Sequence, residues 1–470
     1  MAGFDESLAA LLAKRIEGCR GLLSAERLSG GASQETYRIL IRSDAGERKL
    51  AMRRAPGGAA APATAGQPGL ATEALLMRAA LAAGVPEPEV LWVLTEADGL
   101  GEGFIMEWLD GEALGAKIVR DPALDGIRPK LAEQCGEILA RIHAIDLAAT
   151  GLESRLAQMT PEAFVRQTWQ RYQALDTPQP MIDFSARWLL EHLPESYDES
   201  LVHNDFRNGN IMVSPNGVVA VLDWEIAHIG DPMRDLGWIC TNSWRFGRSE
   251  LPVGGFGSYA DLFRGYEKVS GVKVDPQHVK FWEVFGSFWW SVGCLGMAEH
   301  YRTGPDKTVE RPAIGRRTSE CQVDCVNLLI PGPVALIAAD AKKSSVDMPR
   351  IDELVTSVRD YLRDDVMRVT QGRTQFLARV AGNSLDVVLR ELALGEKQRA
   401  RQTERLRGLL AEGGDLESLR WSLVRRLRDN RIALDQVGLA EYLREAVVNQ
   451  AAIDQPSYSG LKTALANARS

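Results

Sequence analysis

The stretch from Ser200 to Asp235, SLVHNDFRNGNIMVSPNGVVAVLDWEIAHIGDPMRD, constrains this chain more than any other. Its runs LVH and VVAVLDW are rich in β-branched residues and read as buried strands, and SPNG between the runs is a hairpin turn. NDFRNGN carries too many polar side chains to be plain connection. His203, Asp205, Asn210 and Asp223 therefore fall at or just beyond the ends of apolar runs. Each alone is an ordinary turn or cap former. The ordered set, with both spacings, points to chemistry.

In H-x-D-x-x-x-x-N followed by a strand ending in D-W-E, one carboxylate can face a substrate hydroxyl. An amide oxygen and a second carboxylate can then hold magnesium, an ion that prefers hard oxygen ligands and shares phosphate oxygens. The spacing from Asp205 to Asn210 matches the catalytic loop of protein kinases, and Asp223 stands where their metal-binding Asp would. These residues resemble the aminoglycoside phosphotransferase and choline kinase superfamily, which has His-x-Asp in this loop. V-L-D-W-E followed by G-D-P-x-x-D-L is most similar to the phosphotransferase-like domains that accompany acyl-CoA dehydrogenases.

The resemblance implies an α+β, bilobal protein-kinase-like fold. Residues 1–106 are the expected N-lobe and 107–330 the C-lobe with catalytic loop and acceptor pocket. It also implies roles for individual residues: Asp205 as the catalytic carboxylate, Asn210 and Asp223 as metal ligands, and His203, Glu225, Asp231 and Asp235 as structural support, with Asp231 or Asp235 capping the helix that DPMRDLGWIC begins.

Upstream, AERLSGGASQETYRILI reads as a strand, a glycine turn and a second strand. Gly30 and Gly31 at the tip can bring backbone N–H groups close to phosphates, because glycine has no Cβ to block the approach. In KLAMRRAP a period of two puts Ala51 and Arg53 on one face and Met52 and Arg54 on the other. The resemblance places Ala51 by adenine and Arg53 at the kinase phosphate-binding lysine, where a guanidinium can grip phosphate with two parallel bonds. Residues 56–70, PGGAAAPATAGQPGL, read as a low-complexity loop. Glu73, in the first turn of the helix that follows, is expected to pair with Arg53. Gly99, Gly101 and Gly103 precede no helix and read as a turn instead of a dinucleotide fingerprint. Glu107, Trp108 and Leu109 resemble the hinge whose backbone binds adenine.

The implied cofactors are ATP and Mg²⁺, and the implied acceptor is a small-molecule hydroxyl, best a hydroxyacyl-CoA thioester. Aminoglycoside, choline and homoserine are alternatives, as is a silent nucleotide-binding scaffold acting through its C-terminal part. From Pro276 to Arg302 the chain is aromatic at helical spacing and is expected to be mainly core, with Trp289 and Trp290 as candidate acceptor contacts. Arg316 and Arg317 are candidates for a CoA phosphate.

PKLAEQCGEILARIHAID has apolar positions at 131, 135, 138, 139 and 142, the mark of a helix buried on one face. His143 and His228 read as structural histidines. Residues 331–349 read as a linker, and 350–470, rich in Arg, Leu, Ala and Glu and without strand signals, as a separate all-α helical bundle. That bundle offers a surface for a homo-oligomer or a protein partner.

A formal charge of −8 argues against a nucleic-acid partner. FGSFWWSVGCLGMA, the longest apolar run, is too short to span a bilayer, and MAGFDESLAALLAKRIEG reads as an amphipathic helix and not a secretory signal. No membrane association is expected. The six scattered cysteines read as reduced core residues, Cys321 and Cys325 sharing one helix face, so a cytoplasmic location is expected.

Overall fold

The computed structural model describes residues 3–28, 34–59, 68–340 and 348–467. Gly30 and Gly31, residues 60–67 of the low-complexity loop and 341–347 of the linker lie outside them. The chain divides into two compact units. The first comprises 1–161, 195–240 and 244–282, and the second 162–194, 241–243 and 283–470.

Helix α1 (Phe4–Arg15) precedes strands β1 (Cys19–Arg27), β2 (Glu35–Ser43) and β3 (Gly46–Arg54), then α2 (Leu70–Ala82), β4 (Val90–Val93) and β5 (Gly103–Glu107). The five strands form one antiparallel sheet in the order β1-β2-β3-β5-β4. Alternation on these strands sends Ile39, Ile41, Leu50, Met52 and Ile105 to one face, where they meet Leu8 and Leu12 of α1, all at zero exposure. Each such side chain contributes roughly 1.5–3 kcal/mol on burial. The register of β3 thereby turns Ala51 and Arg53 to the opposite face, as period two requires.

The chain continues through α3 (Gly115–Arg120), α4 (Leu131–His143), α5 (Leu147–Thr150), β6 (Gln158–Met159), α6 (Pro161–Gln173) and α7 (Pro180–Glu191). Next come β7 (Ser200–Val202), β8 (Ile211–Ser214), β9 (Gly217–Val221), β10 (His228–Gly230), α8 (Met233–Cys240), α9 (Tyr259–Ser270) and α10 (Pro276–Thr303). Strands β8 and β9 pair as the expected hairpin, while β7 lies antiparallel to β10, which runs parallel to β6. Leu131, Cys135, Ile138, Leu139 and Ile142 of α4 are all buried. Helices α4 and α9 approach so closely that a Cβ on Gly136 would stand 2.1 Å from the Leu262 carbonyl, and one on Gly265 2.0 Å from that of Glu133. Only glycine permits this crossing.

The second unit adds α11 (Glu310–Arg316), α12 (Thr318–Leu329), α13 (Ile351–Asp360), α14 (Met367–Val369), the long α15 (Gly372–Leu410), α16 (Leu416–Arg428), α17 (Leu439–Asp454) and α18 (Ser459–Asn467). Helix α17 packs against α12 and α15, and α16 against α7 and α15. Residues 331–340 have no regular structure. Arg444 of α17 donates to the carbonyls of Ile330, Pro331 and Pro333, and Asn449 bonds Ile337 and Ala335, so this segment is tied along the helix. Phe285 and Phe288 are fully buried, whereas Trp289 and Trp290 are half-buried. All six cysteines are free, and Cys321 and Cys325 are buried on α12. Among the described residues no helix is long and apolar enough to cross a membrane.

Candidate active site

Asp205 lies in the loop between β7 and β8, and Asp223 follows β9 directly. His203 spans the two. The Asp205 N–H donates to its Nδ1 at 3.2 Å and its Nε2 bonds the Leu222 carbonyl at 3.1 Å. That pattern fixes a neutral imidazole carrying its proton on Nε2, in keeping with burial, which lowers the His203 pKa. The Leu222 N–H closes the frame on the Asn210 carbonyl at 2.7 Å. Asn204 and Asp223 both hold positive φ, 69° and 71°, which side-chain-bearing residues adopt at a cost of order 1–3 kcal/mol.

Asp235 of α8 offsets that cost. Its carboxylate accepts from the backbone N–H groups of His203 at 2.8 Å and Asn204 at 2.7 Å, and His143 bonds it at 3.1 Å. Burial opposes its charge, but these donors prevail and hold its pKa below the ordinary carboxylate value. Asp231 does the capping at the start of α8, accepting from Met233 N–H at 2.9 Å, and also accepts from the Trp282 indole at 2.8 Å. His143 and His228 are buried structural residues, and burial lowers the His228 pKa to about 4.

Asp205 receives Arg207 Nε on Oδ1 at 2.9 Å and Nη2 on Oδ2 at 3.1 Å, the Trp238 indole at 2.8 Å and Asn210 Nδ2 at 2.6 Å. Arg207 in turn lies over the Trp244 ring at 4.3 Å. Because Asn210 uses its amide nitrogen on Asp205, its oxygen is the end left for a cation.

Arg53 reaches Asp223 with Nη2, Gln34 with Nε and Glu73 with Nη1, the last at 3.6 Å. Gln34 also donates to Glu73 at 2.8 Å. Burial works against the Arg53 charge, yet Glu73, Asp223 and Glu225 outweigh it and raise its pKa. Burial pushes the Glu73 carboxyl up, and the neighbouring Asp223 and Glu225 add to that against Arg53 and Gln34. Glu73, Asp223 and Glu225 thus share one guanidinium, and the Asp223 carboxylate and the Asn210 amide oxygen are donors of the hard-oxygen kind that suits Mg²⁺. At the end of β5, Glu107 N–H is bonded to the Glu89 carbonyl at 3.0 Å and the Trp108 indole to Asp110 at 2.9 Å, with Leu109 half-buried between them in sequence.

The fold thus brings together His203, Asp205, Asn210, Asp223, Glu225, Arg53 and Glu73. It places Trp289, Trp290, Arg316 and Arg317 in the second unit. Arg316 pairs with Asp454 at 2.8 Å and Glu391 at 3.1 Å, and Arg317 with Glu320 at 3.1 Å. Sequence reasoning passed over Arg207, Trp238, Gln34 and Glu87. Arg207 had a visible signal, since it stands two residues after Asp205 within the polar loop. Trp238 had another, as it shares a face of α8 with Asp235 at i, i+3.

Comparison with known proteins bears on the same residues. Residues 24–272 match the Phosphotransferase enzyme family, and 368–458 match a Domain of unknown function (DUF6285). Acyl-CoA dehydrogenase family member 10 of Mus musculus is 34% identical over 245 residues, 50% of this chain and 22% of that protein. Acyl-CoA dehydrogenase family member 11 of Gallus gallus is 32% identical over 251 residues, 51% of this chain and 30% of that protein. The chain therefore spans less than a third of the length of these relatives. Among solved structures, a provisionally named aminoglycoside phosphotransferase of Ralstonia eutropha superposes with a TM-score of 0.54 at 22% identity, covering 67% of this chain and 95% of that one. That likeness shows a kinase-like bilobal fold with a sheet-based N-lobe. With its family match spanning more than half of its length, the chain belongs to the phosphotransferase enzyme family.

Proposed function

We propose that the chain transfers the γ-phosphoryl group of ATP to the hydroxyl of a small molecule, best a hydroxyacyl-CoA. The observation that carries this reading is the convergence of Asp205, Asn210 and Asp223 with an arginine that bonds Asp223 and faces Glu73. Asp205 orients the acceptor hydroxyl and takes its proton as the oxygen forms its bond to phosphorus and the bond to the ADP oxygen breaks. Arg207, Trp238 and Asn210 hold that carboxylate still, so little reorganisation is left to the reaction itself. Arg53 grips the nucleotide phosphates, oriented by Glu73 and Gln34, and the strand end at Glu107 to Leu109 receives the adenine. Asn210 and Asp223 would hold Mg²⁺, which neutralises phosphate charge when bound. Such a reaction asks the protein for positioning and charge stabilisation more than for covalent chemistry.

The names of the relatives, acyl-CoA dehydrogenase family members 10 and 11, support an acyl-CoA acceptor, and phosphorylation would turn a hydroxyl of an acyl-CoA into a leaving group. Transfer of labelled γ-phosphate to hydroxyacyl-CoA, choline, homoserine and kanamycin, measured side by side, tests the reading. Hydroxyacyl-CoA is the expected acceptor. Asp205→Asn and Asp223→Ala are each expected to lower turnover by about three orders of magnitude with the fold intact. Near-normal turnover in either purified variant would sink the assignment, and ATP binding without transfer to any acceptor would favour a scaffold role.

A further inference from the structure

Three cavities within the second unit share walls. The largest, about 940 Å³, is lined by Val309, Ile314, Phe376, Val387, Val388 and Leu392 among others. A second, of about 520 Å³, lies against Met181, Leu295, Leu443 and Val447. The third, of about 200 Å³, is polar and meets Arg316, Arg399, Arg420, Gln398, Gln402 and Glu391. Arg316 lines all three, Glu391 the first and third, and Arg420 the second and third. The 940 Å³ chamber by itself falls in the size range of small-molecule sites, and it has an apolar body with a few convergent polar groups.

Two polar atoms at the small end lack partners among the described residues. Gln398 is 2% exposed, and its Nε2 donates to the Asn449 carbonyl at 3.0 Å, which leaves Oε1 with no donor. Arg420 gives Nη2 to Gln402 at 2.5 Å, while its buried Nε–H has no acceptor. Leaving such atoms unbonded destabilises the fold. Around this space Arg316 is paired with Asp454 and Glu391 and Arg399 with Glu391, whereas no ion pair among the described residues offsets Arg420, so its missing acceptor is best an anion.

We infer that the second unit binds an aliphatic carboxylate, its chain in the 940 Å³ chamber and its carboxylate accepting from Arg420 in the 200 Å³ chamber. The small chamber has room for the carboxylate and for a water that donates to Gln398 Oε1. Arg316, fixed by Asp454 and Glu391, lines all three chambers. An uncharged head would leave Arg420 without a counter-charge, and a small inorganic anion would leave the apolar chamber unfilled. None of these residues takes part in the Asp205 and Asp223 constellation, so this inference stands apart from the proposed transfer reaction.

Calorimetric titration of the full chain with dodecanoate, dodecanol and dodecyltrimethylammonium, each kept below its micellar concentration, tests it. Dodecanoate is expected to bind saturably at one site, and the alcohol and the cation at least about tenfold more weakly. Arg420→Met is expected to weaken dodecanoate by about tenfold or more and leave dodecanol unchanged. Val388 is 42% exposed, so Val388→Glu is expected to fold normally while placing a repelling charge in the tail chamber and abolishing dodecanoate binding. The inference is overturned by absence of saturable dodecanoate binding, by equal affinity for the three heads, or by wild-type binding in a folded Val388→Glu variant.

Discussion

Asp235 and Glu87 are both buried carboxyls of the first unit, and both support the loops that carry the candidate catalytic residues. Asp235 lies under the His203–Asn204 turn. Glu87 lies under the turn after β9, where its Oε1 accepts from the Trp224 indole at 3.0 Å. Their surroundings differ in the number of donors and in the buried Arg234 charge that acts on Asp235. Asp235 has two backbone N–H groups and a histidine, and its pKa is held low against burial. Glu87 has one indole and an Oε2 with no partner, and burial pushes its pKa well above the ordinary value. At the same depth, donors and neighbouring charge decide whether a carboxyl is an anchor that stays ionised or a wedge that stays neutral.

The largest break in this comparison comes from Asp235→Ala. It orphans two buried N–H groups and removes one of the two partners of His143, which should cost about 3–5 kcal/mol. Since those N–H groups set the positive φ of Asn204, phosphoryl transfer is expected to disappear with the stability. Hydrogen exchange across residues 200–240 reads the local loss, and unchanged protection there would show that Asp235 is not the anchor. The sign with pH follows from a lowered folded pKa: the Asp235 contribution is full above the ordinary carboxylate range and lost as pH falls through its folded value.

Arg53 sharpens the comparison with an intermediate case. Glu73 is buried like the other two, with one donor, Gln34, and the Arg53 guanidinium 3.6 Å from an Oε2 that no hydrogen bond reaches. Arg53→Lys keeps a charge but gives up the planar fork that spans Gln34, Glu73 and Asp223. A fall of about ten- to a hundredfold in kcat/KM for nucleotide is expected, with stability changed by about 1 kcal/mol or less. Steady-state kinetics at varied ATP checks this, and an unaffected kcat/KM would take Arg53 out of the phosphate grip.

Much of this site was legible because its chemistry depends on short spacings. Asp205 and Asn210 share one loop, Asp223 ends the next strand, and β3 alternation alone turns Arg53 away from the α1 core toward Glu73. The lobed kinase-like fold followed from the same motifs. What escaped were contacts made by approach through space. Glu87 meets Trp224 across 137 residues of sequence, and Trp238 reaches Asp205 from a separate helix. Nothing local marks such pairs. The chambers around Arg316 are a stronger case, since α11, α15, α16 and α17 each supply ordinary helical residues and no motif.

Glu87→Gln is the smallest perturbation and the most direct test of the neutral wedge. Because the folded pKa is raised, the folded state keeps a proton that the unfolded chain sheds above about pH 4.5. The resulting stability is full below that pH and is lost as pH rises toward the folded value, the reverse of the Asp235 dependence. Glutamine keeps the shape and an oxygen for the Trp224 indole but has no proton to lose. The variant should therefore match the wild type near pH 5, exceed it at pH 8, and leave transfer activity within about twofold. Denaturation of both proteins at the two pH values decides the matter. A variant less stable than wild type at pH 8 would mean that Glu87 is ionised in the fold and that donor number is not what separates it from Asp235.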